Sequence, residues 1–154
     1  MAPVVGGKAD TSFLRGSLED AMSTPPSPGA FHGVRTLVDL FQGRAWLVSK
    51  CGENVQRKTR RWLRHWDFHE ETGLDPQNLR FCLKRPEKAI HCKQLKLTHF
   101  IDDRLDVLQH LEGLVPNLYL FGEQPGDNVA PNWLTPVIDW DAVTRTVVED
   151  VASS

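Results

Sequence analysis

Short apolar runs alternate along this chain with segments whose apolar positions recur at helical spacing. The runs at 45–49, 79–83, 98–101 and 117–121 are brief, apolar and rich in β-formers, which predicts buried strands. A further apolar piece at 3–5, followed by two glycines, predicts a first strand entering a turn. Phe31, Val34, Leu37, Val38 and Phe41 share one helical face, closed by Gly43. Val55, Thr59, Trp62, Leu63 and Trp66 share another, predicting a helix over 53–66. Shorter helices are expected over 14–22, 87–96 and 105–111, and a terminal one over 140–151. The Pro-, Ser- and Gly-rich stretch 23–29 reads as a flap or loop, and 69–78 and 122–136 read as loops. Strands alternating with helices imply right-handed crossovers and a parallel sheet covered on both faces.

Composition narrows this picture. The length of 154 residues suits a single domain over 1–154 with a real core, at 40% apolar and 25% charged residues. A net charge of −2 gives no global case for nucleic-acid or membrane binding. No apolar run approaches membrane-spanning length, and the N-terminus lacks the build of a signal peptide. Cys51, Cys82 and Cys92 are odd in number and lie in or beside core elements, so reduced thiols and a cytoplasmic location are expected. There is no CxxC, and His65, His69, His91 and His99 show no zinc spacing. Trp46, Trp62 and Trp66 read as core; Trp133 and Trp140 either cover the core or mark a contact surface. One segment is strongly basic: Arg57, Lys58, Arg60, Arg61 and Arg64 crowd one side of the 53–66 helix. A solvated face, balanced by Asp67, Glu70 and Glu71, is the simpler reading; a phosphate-rich partner is the other.

The candidate chemistry centres on Asp102 and Asp103, between a strand and a helix. In an open α/β sheet that turn lies at the carboxyl edge, where ligands bind. Adjacent carboxylates repel unless a positive group lies beside them, and Mg²⁺, a hard cation, takes oxygen ligands. Helix N-capping by Asp103 would also explain an acid there.

The series of strand ends resembles the haloacid dehalogenase-like (HAD) superfamily over roughly residues 3–122. An apolar strand ends in Ser49, a Lys opens the helix before the last motif, and the last motif reads Ile-Asp-Asp-Arg at 101–104. The closest pattern is that of cap-poor phosphatase or nucleotidase-like members. The resemblance implies a three-layer Rossmann-like α/β fold, with a five-stranded parallel sheet in the order 3-2-1-4-5, helices on both faces and minimal or no cap. It also implies Mg²⁺-dependent phosphotransfer through a phosphoaspartate. Carried onto this chain, Ser49 offers its hydroxyl to a phosphate oxygen, with Ser12 and Lys50 beside the substrate. Lys88 neutralises phosphoryl charge, with Lys93 and then Lys84 as the other candidates. Asp10, Asp102 and Asp103 would hold the metal.

The first family motif, Asp-x-Asp-x-Thr, is altered here. Its only candidate is the run 8–12, where Asp10 falls on the second carboxylate, Ser12 on the Thr, and Lys8 on the nucleophile. An ammonium cannot form an acyl phosphate, and it would compete with Mg²⁺ for one place. The expectation is therefore a HAD-fold protein with impaired or lost phosphohydrolase activity, serving as a binding or regulatory module for a phosphorylated small molecule or macromolecule. The alternative is an active Mg²⁺-dependent phosphatase in which Asp10 serves as nucleophile or base. A nucleic-acid-binding or end-processing role through the Arg57 to Arg64 face is a third reading.

Overall fold

The computed structural model describes residues 18–84, 86–124, 126 and 130–153. The strand expected over 3–5, together with Lys8, Asp10 and Ser12, lies outside the described residues. The chain is α/β, built of helices and parallel strands. In order, the described elements are α1 (Leu18–Ser23), α2 (Ala30–Leu40), β1 (Leu47–Lys50), α3 (Glu53–His65), α4 (Phe68–Thr72), β2 (Leu79–Cys82), α5 (Glu87–Leu95), β3 (His99–Asp102), α6 (Leu105–Gln109), β4 (Asn117–Phe121), β5 (Thr135–Val137) and α7 (Trp140–Ala152).

β1 pairs with β2 in parallel, Ser49 opposite Phe81 and Lys50 opposite Cys82. β3, β4 and β5 form a second parallel sheet in that order, with Asp102 opposite Leu120. Side chains alternate across a strand, and both sheets use that alternation to feed the same two cores. Leu47, Ile101 and Tyr119 point to one core, with Val34, Leu37 and Val38 of α2, Leu63 of α3 and Val143 and Val147 of α7. Val48, Phe100, Leu118 and Leu120 point to the other, with Cys92 of α5 and Val107 and Leu108 of α6. The crossover from β1 to β2 therefore runs on one face and that from β2 to β3 on the opposite face.

Local chemistry sets the element ends. Asp139 caps α7, its Oδ1 accepting the Ala142 amide at 2.8 Å. α4 ends at Gly73, whose φ of 77° is the left-handed conformation that stops a helix.

Several expectations are corrected. The stretch 69–78 was expected as a loop, but α4 occupies its beginning, held by Thr72 Oγ1 donating to the Phe68 carbonyl and accepting the Leu74 amide. The stretch 122–136 was expected as a loop before the terminal helix, but it ends in β5. Pro136 has no N–H to give a further strand, so it suits a sheet edge, and β5 pairs only with β4 among the described residues. Asp102 is the last residue of β3, not the first beyond it. Trp140 is no contact surface: it is 2% exposed and packs against Gly33 and Phe121.

Candidate functional site

The carboxyl ends of the parallel strands, the usual ligand position in such sheets, form the candidate crevice. β3 is buried along its whole length, and Asp102 ends it at 1% exposure. α5 starts a few residues beyond β2, with Pro86 (φ −59°) preset for the first turn and the Glu87 carboxylate accepting the Lys84 amide at 2.8 Å. This places Lys88 in the first turn of α5. Its ammonium, 6% exposed as a residue, donates to Asp102 Oδ2 at 2.9 Å. Asp102 Oδ1 accepts the Arg104 amide at 3.0 Å.

Asp103 completes the cluster. Burial first, then the hydrogen bond and the charge of Asp102, push its carboxyl up to about 6. Protonated, Asp103 donates to Asp102; ionised, it repels it. Asp102 has Lys88 and a backbone amide on its two oxygens, and Asp103 is the carboxyl that burial and its neighbour push up. Gln124 Nε2 donates to the Asp103 carbonyl at 3.2 Å and the Phe121 carbonyl at 3.1 Å, tying the β3 and β4 ends together.

The other expected residues are placed less tightly. Ser49 lies in β1 with its hydroxyl bonded to the Cys51 sulfur, and Lys50 ends the strand exposed to solvent. Among the described residues Ser49 makes no direct bond to Lys88 or Asp102. Lys84 and Lys93 are exposed. Cys51, Cys82 and Cys92, expected as reduced thiols in or beside core elements, are free and buried. At the ends of β1 and β2 the Cys51 amide donates to the Cys82 carbonyl at 2.9 Å. Burial pushes both thiols up, while the Lys88 charge pulls both down.

Asp102 and Asp103 alone offer two carboxylates to a cation, and the described residues hold no group of three or more His, Cys, Asp or Glu side chains suited to a metal. Beside the crevice, an apolar cavity of about 240 Å³ lies against β1. Leu47, Val48 and Ser49, consecutive in the strand, all border it, with Phe81, Trp62 and Trp140 among the remaining walls. Phe31, Val34, Leu63 and Phe68 also line it, so the cavity lies on the face of β1 covered by α2, α3 and α4. The Trp140 Nε1 is buried and has no hydrogen-bond partner. No helix among the described residues is long and apolar enough to cross a membrane. No protein-family model matches the chain, and a search of curated proteins returns no match.

Proposed function

We propose that this chain is a HAD-like, phosphate-binding protein whose phosphotransfer is impaired or lost, acting in the cytoplasm on a phosphorylated small molecule or macromolecule. The observation that carries the reading is the buried Lys88 to Asp102 ion pair at the carboxyl end of β3. A phosphate oxygen entering the crevice would share the Lys88 ammonium with Asp102, and the Ser49 hydroxyl would supply a neutral donor. Asp103, its carboxyl pushed up to about 6, would give a proton to a bound anion or accept one from it in mildly acidic solution. Asp10, Asp102 and Asp103 would hold Mg²⁺, which would neutralise charge on a phosphoryl group. The donor chemistry suits it, because a divalent cation relieves the repulsion that raises the Asp103 carboxyl. Lys8 at the nucleophile's place in the motif argues for binding over turnover.

The finer fold belongs to the same proposal. A parallel strand over 3–5 between β1 and β3 would give the order 3-2-1-4-5, with β5 added outside β4. The sharing of two cores by both sheets supports it.

The test has two arms. Hydrolysis of p-nitrophenyl phosphate is measured with and without Mg²⁺ for the wild type, Lys8→Asp and Asp10→Asn. Thermal stabilisation by inorganic phosphate is measured for the wild type, Lys88→Met and the paired variant Lys88→Met with Asp102→Asn. Removing Lys88 alone leaves a buried carboxylate unpaired, at about 3–5 kcal/mol, so the paired variant keeps the arm readable. The expected result is a silent wild type stabilised by phosphate, loss of that stabilisation in both Lys88 variants, and turnover gained in Lys8→Asp. Mg²⁺-dependent turnover in the wild type, abolished in Asp10→Asn, would establish the active phosphatase instead. Absence of phosphate stabilisation in the wild type would remove the phosphate site.

A further inference from the structure

α3 presents two faces of opposite character. Leu63 and Trp62 pack into the core, and the Trp62 indole donates to the Thr24 carbonyl at 2.8 Å. On the outer side Arg57, Arg60, Arg61 and Arg64 are all exposed. Their spacing is i, i+3, i+4, i+7, which puts four guanidinium groups in one stripe. The ion pairs among the described residues are Lys88 with Asp102, Arg104 with Asp106 and Arg145 with Asp141, so none of the four has an acidic partner there. Glu53 opens the helix four residues before Arg57, and Asp67, Glu70 and Glu71 lie beyond its C-terminal end; none of them is in an ion pair with the four. Arg57 donates only to the Asn54 side chain. The Arg60 guanidinium lies 5.0 Å from the centroid of the Phe81 ring, so it is laid over β2. Arg80, the residue before Phe81 in β2, points to the opposite face, its guanidinium on the carbonyls of Gln77 and Leu79.

Like charges three and four residues apart destabilise a helix unless something neutralises them. A polyanion laid along the stripe would neutralise it. Four cations over seven residues of helix give an axial density of about one per 3.5 Å, close to the roughly 3.4 Å per phosphate along one strand of duplex DNA. Guanidinium groups match phosphate oxygens in paired hydrogen bonds, as ammonium groups do not.

We infer that the outer face of α3 docks on the phosphate backbone of double-stranded nucleic acid. Binding there reads charge, not sequence: Trp62 and Trp66 turn their indole N–H groups to the carbonyls of Thr24 and Met22. The face shares no residue with the Lys88, Asp102 and Asp103 crevice, so the inference stands apart from the phosphate-site reading.

The experiment is fluorescence anisotropy of a labelled 20-base-pair DNA duplex across a salt series. It compares the wild type with the triple variant Arg57→Gln, Arg61→Gln and Arg64→Gln, which leaves Arg60 on Phe81. Circular dichroism and the thermal midpoint check that the variant is folded; Arg61→Gln with Arg64→Gln serves if it is not. The expected result is saturable wild-type binding at 50 mM salt, and a log–log salt slope shallower by roughly 3 in the triple variant, or roughly 2 in the double. At 50 mM salt the triple variant should bind at least tenfold more weakly. No saturable binding by the wild type at 100 µM protein would overturn the inference. So would an unchanged slope in the folded variant. Equal affinity for poly-L-glutamate at matched charge would overturn it in favour of an acidic protein partner.

Discussion

Asp102 and Asp103 are neighbours of one residue type with different fates, and the difference is in what surrounds each carboxyl. Asp102 has Lys88 on one oxygen and the Arg104 amide on the other. Asp103 has burial and a neighbouring anion, and its carboxyl rises from 3.8 to about 6. Between those two values the folded chain binds more protons at this group than the unfolded chain does. Stability contributed by Asp103 must therefore fall as pH rises from about 4 to about 6, and stay flat above that. In denaturant titrations of the metal-free protein, Asp103→Asn should lack this fall, so its stability relative to wild type should improve between pH 4.5 and pH 7. An unchanged difference across that range would show that Asp103 ionises freely. At this scale the sequence was partly legible. Two adjacent acids at a strand's end, and a Lys opening a helix, could be placed on one edge from the pattern alone. That Lys88 and Asp102 form a buried pair could not, because burial depends on the packing of α5 against the sheet.

At the scale of elements, the contact of α2 with α7 is set by a missing side chain. A Cβ at Gly33 would sit 2.6 Å from Trp140 Cε3 and 3.3 Å from Cδ2 and Cζ3. Alanine is the better helix former by about 1 kcal/mol, but overpacking of this kind costs about 1–3 kcal/mol. Ring atoms this close cannot yield by rotating a flexible tip, so the clash should win. Gly33→Ala is expected to lower stability by about 1 kcal/mol net in the wild type. In a Trp140→Phe background, which removes the bicyclic ring and no hydrogen bond, the same substitution should become neutral or stabilising. Chemical denaturation of the four proteins measures that reversal, and a cost independent of residue 140 would show that the helices are spaced by another contact. The elements that escaped the sequence, α4 and β5, are the short ones. Each has too few residues to display a period, and the flanking Gly and Pro residues gave a stronger loop signal than Thr135-Pro-Val137 gave for a strand. The longer helices were legible because four or five apolar positions repeat along each.

At the scale of the whole molecule, the question is how β2–β1 and β3–β4–β5 come to share two cores. Neighbouring strands lie about 4.8 Å apart, and β1 and β3 are not paired with each other. Yet Lys88 of α5, which follows β2, reaches Asp102 of β3, and Val48 packs in one core with Phe100. One extended segment between the two sheets would satisfy both facts and complete the order 3-2-1-4-5 that the family resemblance implies. The proposed segment is 3–5, and its two valines would point to opposite cores. Val4→Asp and Val5→Asp should then each destabilise the protein by about 2–3 kcal/mol, the burial energy of a valine side chain with a charge in its place. Removal of residues 1–12 should speed amide exchange in β1 and β3, the strands that would lose a neighbour, and leave β4 protected. Exchange unchanged in both strands would mean that another part of the chain joins the two sheets. It would also remove the Asp10 carboxylate from the crevice, because that position depends on the strand before it.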